Sequence, residues 1–389
     1  MEEDKKIAIF SDLHLGMENY GSITEDGIHS RFKDFRNTFF SFIDKVRDED
    51  VDIVVFGGDA FKTRNPKPYQ LHAFMAGLGA LTREGISVIA ITGNHDIYKT
   101  EGYISILKTL EFVGVQVITK PSLCFKKGVP ILALPFMYDD GWLEIAKDGE
   151  DNITNIINDT IDSLLSTIKT DKKIIGVGHY GIEGAMLGGE NGLITTKNMS
   201  LPRSIFRKYD NIQWFMGHYH RRQKIAKNIE CIGSMDRVDF GEATEDKGFI
   251  LGEYSDGDFN YDFIENNIRH MEKINIQLEN SGEDEDIVEK VVNYLEEGSI
   301  YWVIINCDAD DLSRAKLIKR RIEKEIFDMD LFLSRVDIES GEYEKKDFGD
   351  VKLESLEEEM DGFIKGKFSN RYDRLKNKHN DLVSEVGEE

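Results

Sequence analysis

Ser87-Val88-Ile89-Ala90-Ile91-Thr92-Gly93-Asn94-His95-Asp96 is a short apolar run that ends abruptly in a glycine, an amide, an imidazole and a carboxylate. Branched and small apolar residues closed by a turn signal read as a strand buried on both faces. The same design recurs outward in both directions. Lys6–Phe10 stops at Ser11-Asp12-Leu13-His14, and Asp52–Phe56 stops at Gly57-Gly58-Asp59. Further on, Lys173–Val177 runs into Gly178-His179, and Ile212–Met216 into Gly217-His218-Tyr219-His220. Ile131–Leu134 is a strand without such an ending. Between the first strands, Phe32, Phe35, Phe39, Ile43 and Val46 recur at helical spacing and predict a helix over 30–48; Leu71, Phe74, Leu78 and Leu81 mark another. Strands alternating with helices, all but Ile131–Leu134 ending in polar ligand-type residues, predict an α/β fold whose loops meet at one edge.

Five of the nine histidines fall in these endings, with no cysteine nearby. Hard oxygens mixed with imidazoles suit divalent first-row cations. Asp12, His14, Asp59, Asn94, His179, His218 and His220 make seven donors. With Asp59 shared between two cations, that gives about four per metal and leaves room for water and phosphate oxygens. In an extended chain, residues i and i+2 face the same way, so Asp12 with His14, and His218 with His220, can each grip one ion, unless a pair splits between two. Two Mn2+ ions are expected, with Mg2+, Fe2+ and Zn2+ as alternatives; Mg2+ is less typical of imidazole-rich sites. His95 is left over and is assigned to leaving-group protonation, with Asp96 as its orienting partner. Any one of these motifs alone could be a structural turn; together, in order and at strand ends, they point to metal-dependent phosphoester chemistry.

At 389 residues, two domains and a tail are expected. Three scattered cysteines give no disulfide framework, and the amino terminus has no signal-peptide pattern, so a cytoplasmic protein is expected. The net charge of −24 excludes a protein that coats nucleic acid through a uniformly basic surface. After residue 265 the pattern changes to a small α/β unit without ligand motifs. Met271–Leu278, Ile300–Asn306 and Leu331–Ile338 read as strands, and Glu285–Leu295 and Leu312–Phe327 as helices. Two polar helical stretches, 353–366 and 370–386, close the chain.

The ordered motifs resemble the calcineurin-like metallophosphoesterase superfamily over residues 5–255. Two further stretches, 58–66 (GDAFKTRNP) and 232–242 (IGSMDRVDFGE), look like those of the SbcD-type nucleases, the nuclease subunits of the SbcCD complex in DNA double-strand-break repair. The resemblance implies a two-sheet β-sandwich flanked by helices over 1–265, a small α/β capping domain that holds DNA over 266–345, and a helical tail over 346–389. That tail would bind an SbcC-type coiled-coil ABC ATPase through Leu353, Leu356, Met360 and Phe363. It also implies Mn2+-dependent 3′→5′ exonuclease and single-strand endonuclease activity. A homodimer within a heterotetramer is implied too, for which the stripe Leu71, Phe74, Leu78 and Leu81 is a candidate, although such a stripe is more often plain core. Some relatives carry a histidine where this chain has Lys62; here Lys62, Arg64, Lys67, Arg221 and Arg222 are candidate DNA contacts. The alternatives are a small-molecule phosphodiesterase or phosphomonoesterase of the same superfamily, and a scaffold subunit that regulates the ATPase.

Overall fold

The computed structural model describes residues 3–98, 104–146, 152–186, 200–278, 284–327 and 332–340. It divides into the units Met1–Glu339 and Ser340–Glu389. The two tail helices and the residues expected to meet an ATPase lie outside the described residues.

Two mixed six-stranded sheets form the body. The first runs in the order Asp258–Glu265, Gly248–Ser255, Lys5–Phe10, Ile53–Phe56, Ser87–Ile91 and Gln116–Ile118. The second runs Gln223–Ala226, Ile229–Cys231, Ile212–Gly217, Ile174–His179, Val129–Leu134 and Ser122–Lys126. Alternate side chains explain why the central strands are apolar throughout. Ile7, Ile9, Ile53, Val55, Ile89 and Ile91 meet Ile131, Val177, Phe215 and Ile232 between the sheets. Their neighbours Ala8, Phe10, Val54, Phe56, Val88 and Ala90 point outward onto the helices Ser30–Asp48 and Pro68–Arg83. On the opposite side, Leu132, Leu134, Ile174, Trp214 and Met216 pack on Ile156, Ile157 and Ile161 of the helix Ile153–Leu165.

Phe74, Leu78 and Leu81 are fully buried in this core, and Leu71 packs against it. They are committed to their own chain, so of the two readings of this stripe, core and dimer contact, the structure shows core. The central strands are parallel in both sheets, which brings the carboxyl ends of Phe10, Phe56, Ile91, His179 and Gly217 to one rim.

Residues after 265 add a three-stranded sheet in the order Met271–Gln277, Ile300–Cys307 and Phe332–Ser340. Its own core joins Tyr301, Val303, Ile305 and Val336 to Val288, Val291, Ala315, Ile318 and Ile322 of two helices, Asp284–Tyr294 and Leu312–Phe327. A second, smaller cluster of Phe240, Met271 and Ile300, with Tyr20 and Trp302 packed on it, ties this sheet to the sandwich. Among the described residues no helix is long and apolar enough to cross a membrane.

Candidate metal centre

The strand ends converge on a compact set of lone pairs. His14 Nε2 lies 2.8 Å from His220 Nε2. Asp59 Oδ2 is 3.3 Å from His179 Nε2 and 3.9 Å from His14 Nε2. Asp12 Oδ1 stands 3.9 Å from His14 Nε2 and 4.0 Å from His179 Nε2. Asn94 Oδ1 is 3.2 Å from His179 Nε2 and 2.9 Å from His218 Nδ1. All seven expected donors therefore meet. The pair His218 and His220 splits: His220 sits with His14, while His218 sits with Asn94 and His179. Asp12 and Asp59 both stand between these two groups.

Tautomers follow from the partners behind the rings. His179 Nδ1 donates to the Gly57 carbonyl at 2.7 Å, so Nε2 is the atom that faces the centre and offers its lone pair once its proton is displaced. His220 Nδ1 faces Glu242 Oε1 at 2.9 Å and leaves its Nε2 in the same state. Nitrogen and oxygen lone pairs about 3 Å apart are the spacing of neighbouring ligands held about 2.1 Å from a shared cation. The donor set thus fits two divalent cations, with Asp12, His14 and His220 on one side and Asp12, Asp59 and His179 on the other, joined there by Asn94 and His218. When bound, such a pair supplies Lewis acidity and an activated water at a phosphoester.

The backbone is bent to make this set. Asp12, His14, Asp59 and His218 all have positive φ, at 52°, 46°, 60° and 87°. Each such residue costs about 1–3 kcal/mol and persists only where its surroundings over-determine it. This replaces the expected extended-chain geometry: Asp12 and His14 converge because their loop turns left-handed, not because it is a strand. The compensating bonds are visible. Both Asp12 oxygens accept from His218 N at 3.1 Å, and His95 N donates to Asp59 Oδ1 at 2.8 Å.

Electrostatics match a site that gathers positive charge. Burial lowers the affinity of His179 for a proton, but Asp59 and Asp12 outweigh it and carry its pKa up to about 9. Burial holds His218 down to about 3 and His14 well below its usual range. At pH 7.5 the metal-free chain therefore holds a proton on His179 that a cation must displace. Metal loading should release about one proton per chain, with affinity rising as pH climbs toward 9. Calorimetric Mn2+ titrations in two buffers of different ionisation enthalpy read this directly. Identical heats in both would contradict it.

His95 lies at the rim, its side chain 43% exposed and its Nε2 4.0 Å from Asp59 Oδ2. Its Nδ1 donates to the Lys62 carbonyl at 2.8 Å, so Nε2 is the atom left to carry a transferable proton. Asp96 does not orient it. The Asp96 carboxylate accepts from Asp59 N at 2.7 Å, Gly93 N at 2.8 Å and Ala60 N at 3.1 Å. It is a buried brace between two ligand loops, and the role expected for it is corrected on that ground. Because His95 holds Asp59 through its main chain, His95→Ala should keep both cations yet lower turnover about 100-fold. Near-wild-type turnover would remove His95 from the chemistry.

The five candidate cationic contacts divide by their partners. Arg64 donates to the Asn94 carbonyl at 3.1 Å, to Tyr138 Oη at 3.0 Å and to the Ile97 carbonyl, so it braces a ligand loop. Lys67 pairs with Glu18 at 2.6 Å. Arg222 pairs with Glu230 at 3.1 Å and lies over Phe263. Lys62 reaches Asn19 at 3.4 Å, and Arg221 is exposed. Glu242 enters the sequence reading only as the end of the stretch 232–242, and Lys247 not at all; the two form a buried pair 2.8 Å apart behind His220. Burial alone would raise the Glu242 carboxyl, but Lys247 and His220 hold it far below the usual range. Nothing in residue type or spacing marks this pair as interior.

Residues 5–222 match the family described as Calcineurin-like phosphoesterase. The chain belongs to that family. Among solved structures, a dimetal phosphatase from Danio rerio is similar at 10% identity and a TM-score of 0.42, covering 67% of this chain and 97% of its own. The calcineurin-like phosphoesterase YfkN from Bacillus subtilis is similar at 14% identity and a TM-score of 0.36, covering 68% of this chain and 90% of its own. By its family match and its converging donors, the chain is a metallophosphoesterase with a candidate dinuclear centre.

Proposed function

We propose that this chain is a Mn2+-dependent DNA nuclease of the SbcD type, a 3′→5′ exonuclease and single-strand endonuclease acting on broken ends. Its partners are a second copy of itself and a coiled-coil ABC-type ATPase. The observation that supports a polymeric substrate is the face of the small sheet turned away from its helices. With Ile274, Tyr301, Val303 and Val336 turned to the helices, alternation puts Lys273, Trp302 and Arg335 on the other side. Lys273 Nζ lies 4.6 Å and Arg335 Cζ 3.8 Å from the Trp302 ring. Cations flanking an aromatic ring suit a phosphate backbone with unstacked bases. Trp302 meets Phe240, and Phe240 meets Tyr20 of the loop that follows His14, so this face leads toward the rim of the metal centre.

On this reading the sandwich performs phosphodiester hydrolysis and the small sheet holds the strand. The double substitution Lys273→Glu with Arg335→Glu should lower Mn2+-dependent cleavage of single-stranded and linear duplex DNA about 10-fold at moderate salt. Turnover of bis(4-nitrophenyl) phosphate at saturating Mn2+ should stay unchanged. Equal loss on both substrates, or none on DNA, rejects the role of this face. Turnover of cyclic nucleotides without any DNA cleavage would select the small-molecule phosphodiesterase instead.

A further inference from the structure

The stretch Asp236–Glu242 does two jobs that the metal ligands do not explain. At one end, Asp236 is buried against Arg31 at 3.3 Å and Thr38 at 2.9 Å, fixing the segment to the helix Ser30–Asp48. At the other, Glu242 is fully buried and reaches three partners. Oε1 accepts from His220 Nδ1 at 2.9 Å, while Oε2 meets Lys247 Nζ at 2.8 Å and accepts from Val238 N at 2.9 Å. Lys247 in turn donates to the His220 carbonyl at 2.9 Å and pairs with Glu245 at 2.9 Å. His220 is thereby held from both its ring and its main chain by one ion pair. His179 has a backbone carbonyl in the equivalent place, and no carboxylate of the described residues bonds to its Nδ1. The two sides of the centre are built differently.

Two residues before Glu242, Phe240 leaves the sandwich. Its ring lies 4.8 Å from Tyr20 and 5.6 Å from Trp302 of the small sheet, centre to centre, within the buried cluster of Met271 and Ile300. Asp239 caps the short turn Phe240–Glu242 by accepting from Gly241 N. Phe240 and Glu242 are therefore rigidly connected, one seated on the small sheet and the other on a metal ligand.

We propose that Glu242 is the positioning residue for the cation held by His14 and His220, and that the small sheet, through Trp302 and Phe240, sets where Glu242 stands. A carboxylate behind a ligating imidazole fixes its tautomer and ring orientation and raises its basicity; losing such a partner typically costs 10–100-fold in metal affinity. The effect is confined to one side, because His179, Asn94 and His218 make no contact with Glu242 among the described interactions. Displacement of the small sheet would then loosen one cation and leave the other.

The inference rests on the dinuclear centre and not on the substrate. It is tested on the full chain by titrating Mn2+ and following free Mn2+ by electron paramagnetic resonance. Wild type should take two ions; a wild-type chain that takes none or one ends the dinuclear reading itself. In Glu242→Gln one step should weaken 10–100-fold and the other by less than about 2-fold. Lys247 keeps Glu245 in that variant, but an amide accepts at one atom where Glu242 accepts at two. The melting temperature of the metal-free chain should therefore fall, and the selective loss of one step is the readout that marks positioning. Trp302→Leu should weaken the same step about 3–10-fold. Two unchanged steps in Glu242→Gln, or two weakened in parallel, overturn the positioning role. Unchanged steps in Trp302→Leu overturn the coupling to the small sheet.

Discussion

Asp59→Asn is expected to lower turnover of bis(4-nitrophenyl) phosphate at saturating Mn2+ about 1,000-fold while leaving the chain folded. Such a loss corresponds to about 4 kcal/mol at the transition state, comparable with removing a preorganised electrostatic stabiliser from a water-poor site. Asp59 is 2% exposed, and its Oδ2 lies within 4.0 Å of three imidazoles, those of His14, His95 and His179. Asparagine keeps the shape and still accepts from His95 N through its oxygen, so local packing survives. What goes is the negative charge set between the two groups of ligands. Bound Mn2+ after gel filtration should fall from two per chain to at most one. Retention of a tenth or more of wild-type turnover would reject this role, and it is the result expected of a scaffold subunit with a degenerate site.

The central strands were legible in the sequence because burial on both faces writes them as unbroken apolar runs, and all of them but Val129–Leu134 end where ligand residues begin. The ligand set was legible for the same reason: strand ends are the positions an α/β fold brings together. What linked those positions was read less well. The approach of Asp12 to His14 depends on left-handed backbone at both residues, which residue type does not announce. The hairpin Gly248–Ser255 and Asp258–Glu265 went unread, although its turn is Asp256-Gly257, with φ of 51° and 83°, a strong hairpin signal. Its strands carry polar residues on one side, so the apolar-run criterion that found the others passes over them. Glu242 and Lys247 lie in a stretch as polar as any surface loop. Only the fold shows that they are interior, because their charges cancel each other.

The same dependence on close backbone approach makes one glycine as informative as a ligand. Gly93→Ala should lower turnover about 100-fold or more and weaken Mn2+ binding, although it removes no donor. A methyl group at Gly93 would stand 2.5 Å from Asp59 N and 2.8 Å from Asp59 Cγ, and would overlap Oδ1. Those atoms cannot yield freely. Asp59 N is held by Asp96 and Oδ1 by His95 N, so the clash must move the carboxylate or part the two loops. A displacement of about 1 Å in a reacting constellation costs about 100-fold in rate, and overpacking of this kind costs about 1–3 kcal/mol of stability. Gly141→Ala is the contrast. That glycine sits in the helix Asp139–Ile145, where a methyl comes closest to Met137 Cε, a flexible side-chain end, at 3.1 Å, and meets Met137 Cβ at an ordinary 3.7 Å. Alanine is favoured over glycine in a helix by about 1 kcal/mol, so this variant should match or exceed wild type in melting temperature and keep full turnover. If Gly93→Ala behaves like Gly141→Ala, the carboxylate of Asp59 has room to move without loss, and the close packing of the two ligand loops is not what holds the centre in working geometry.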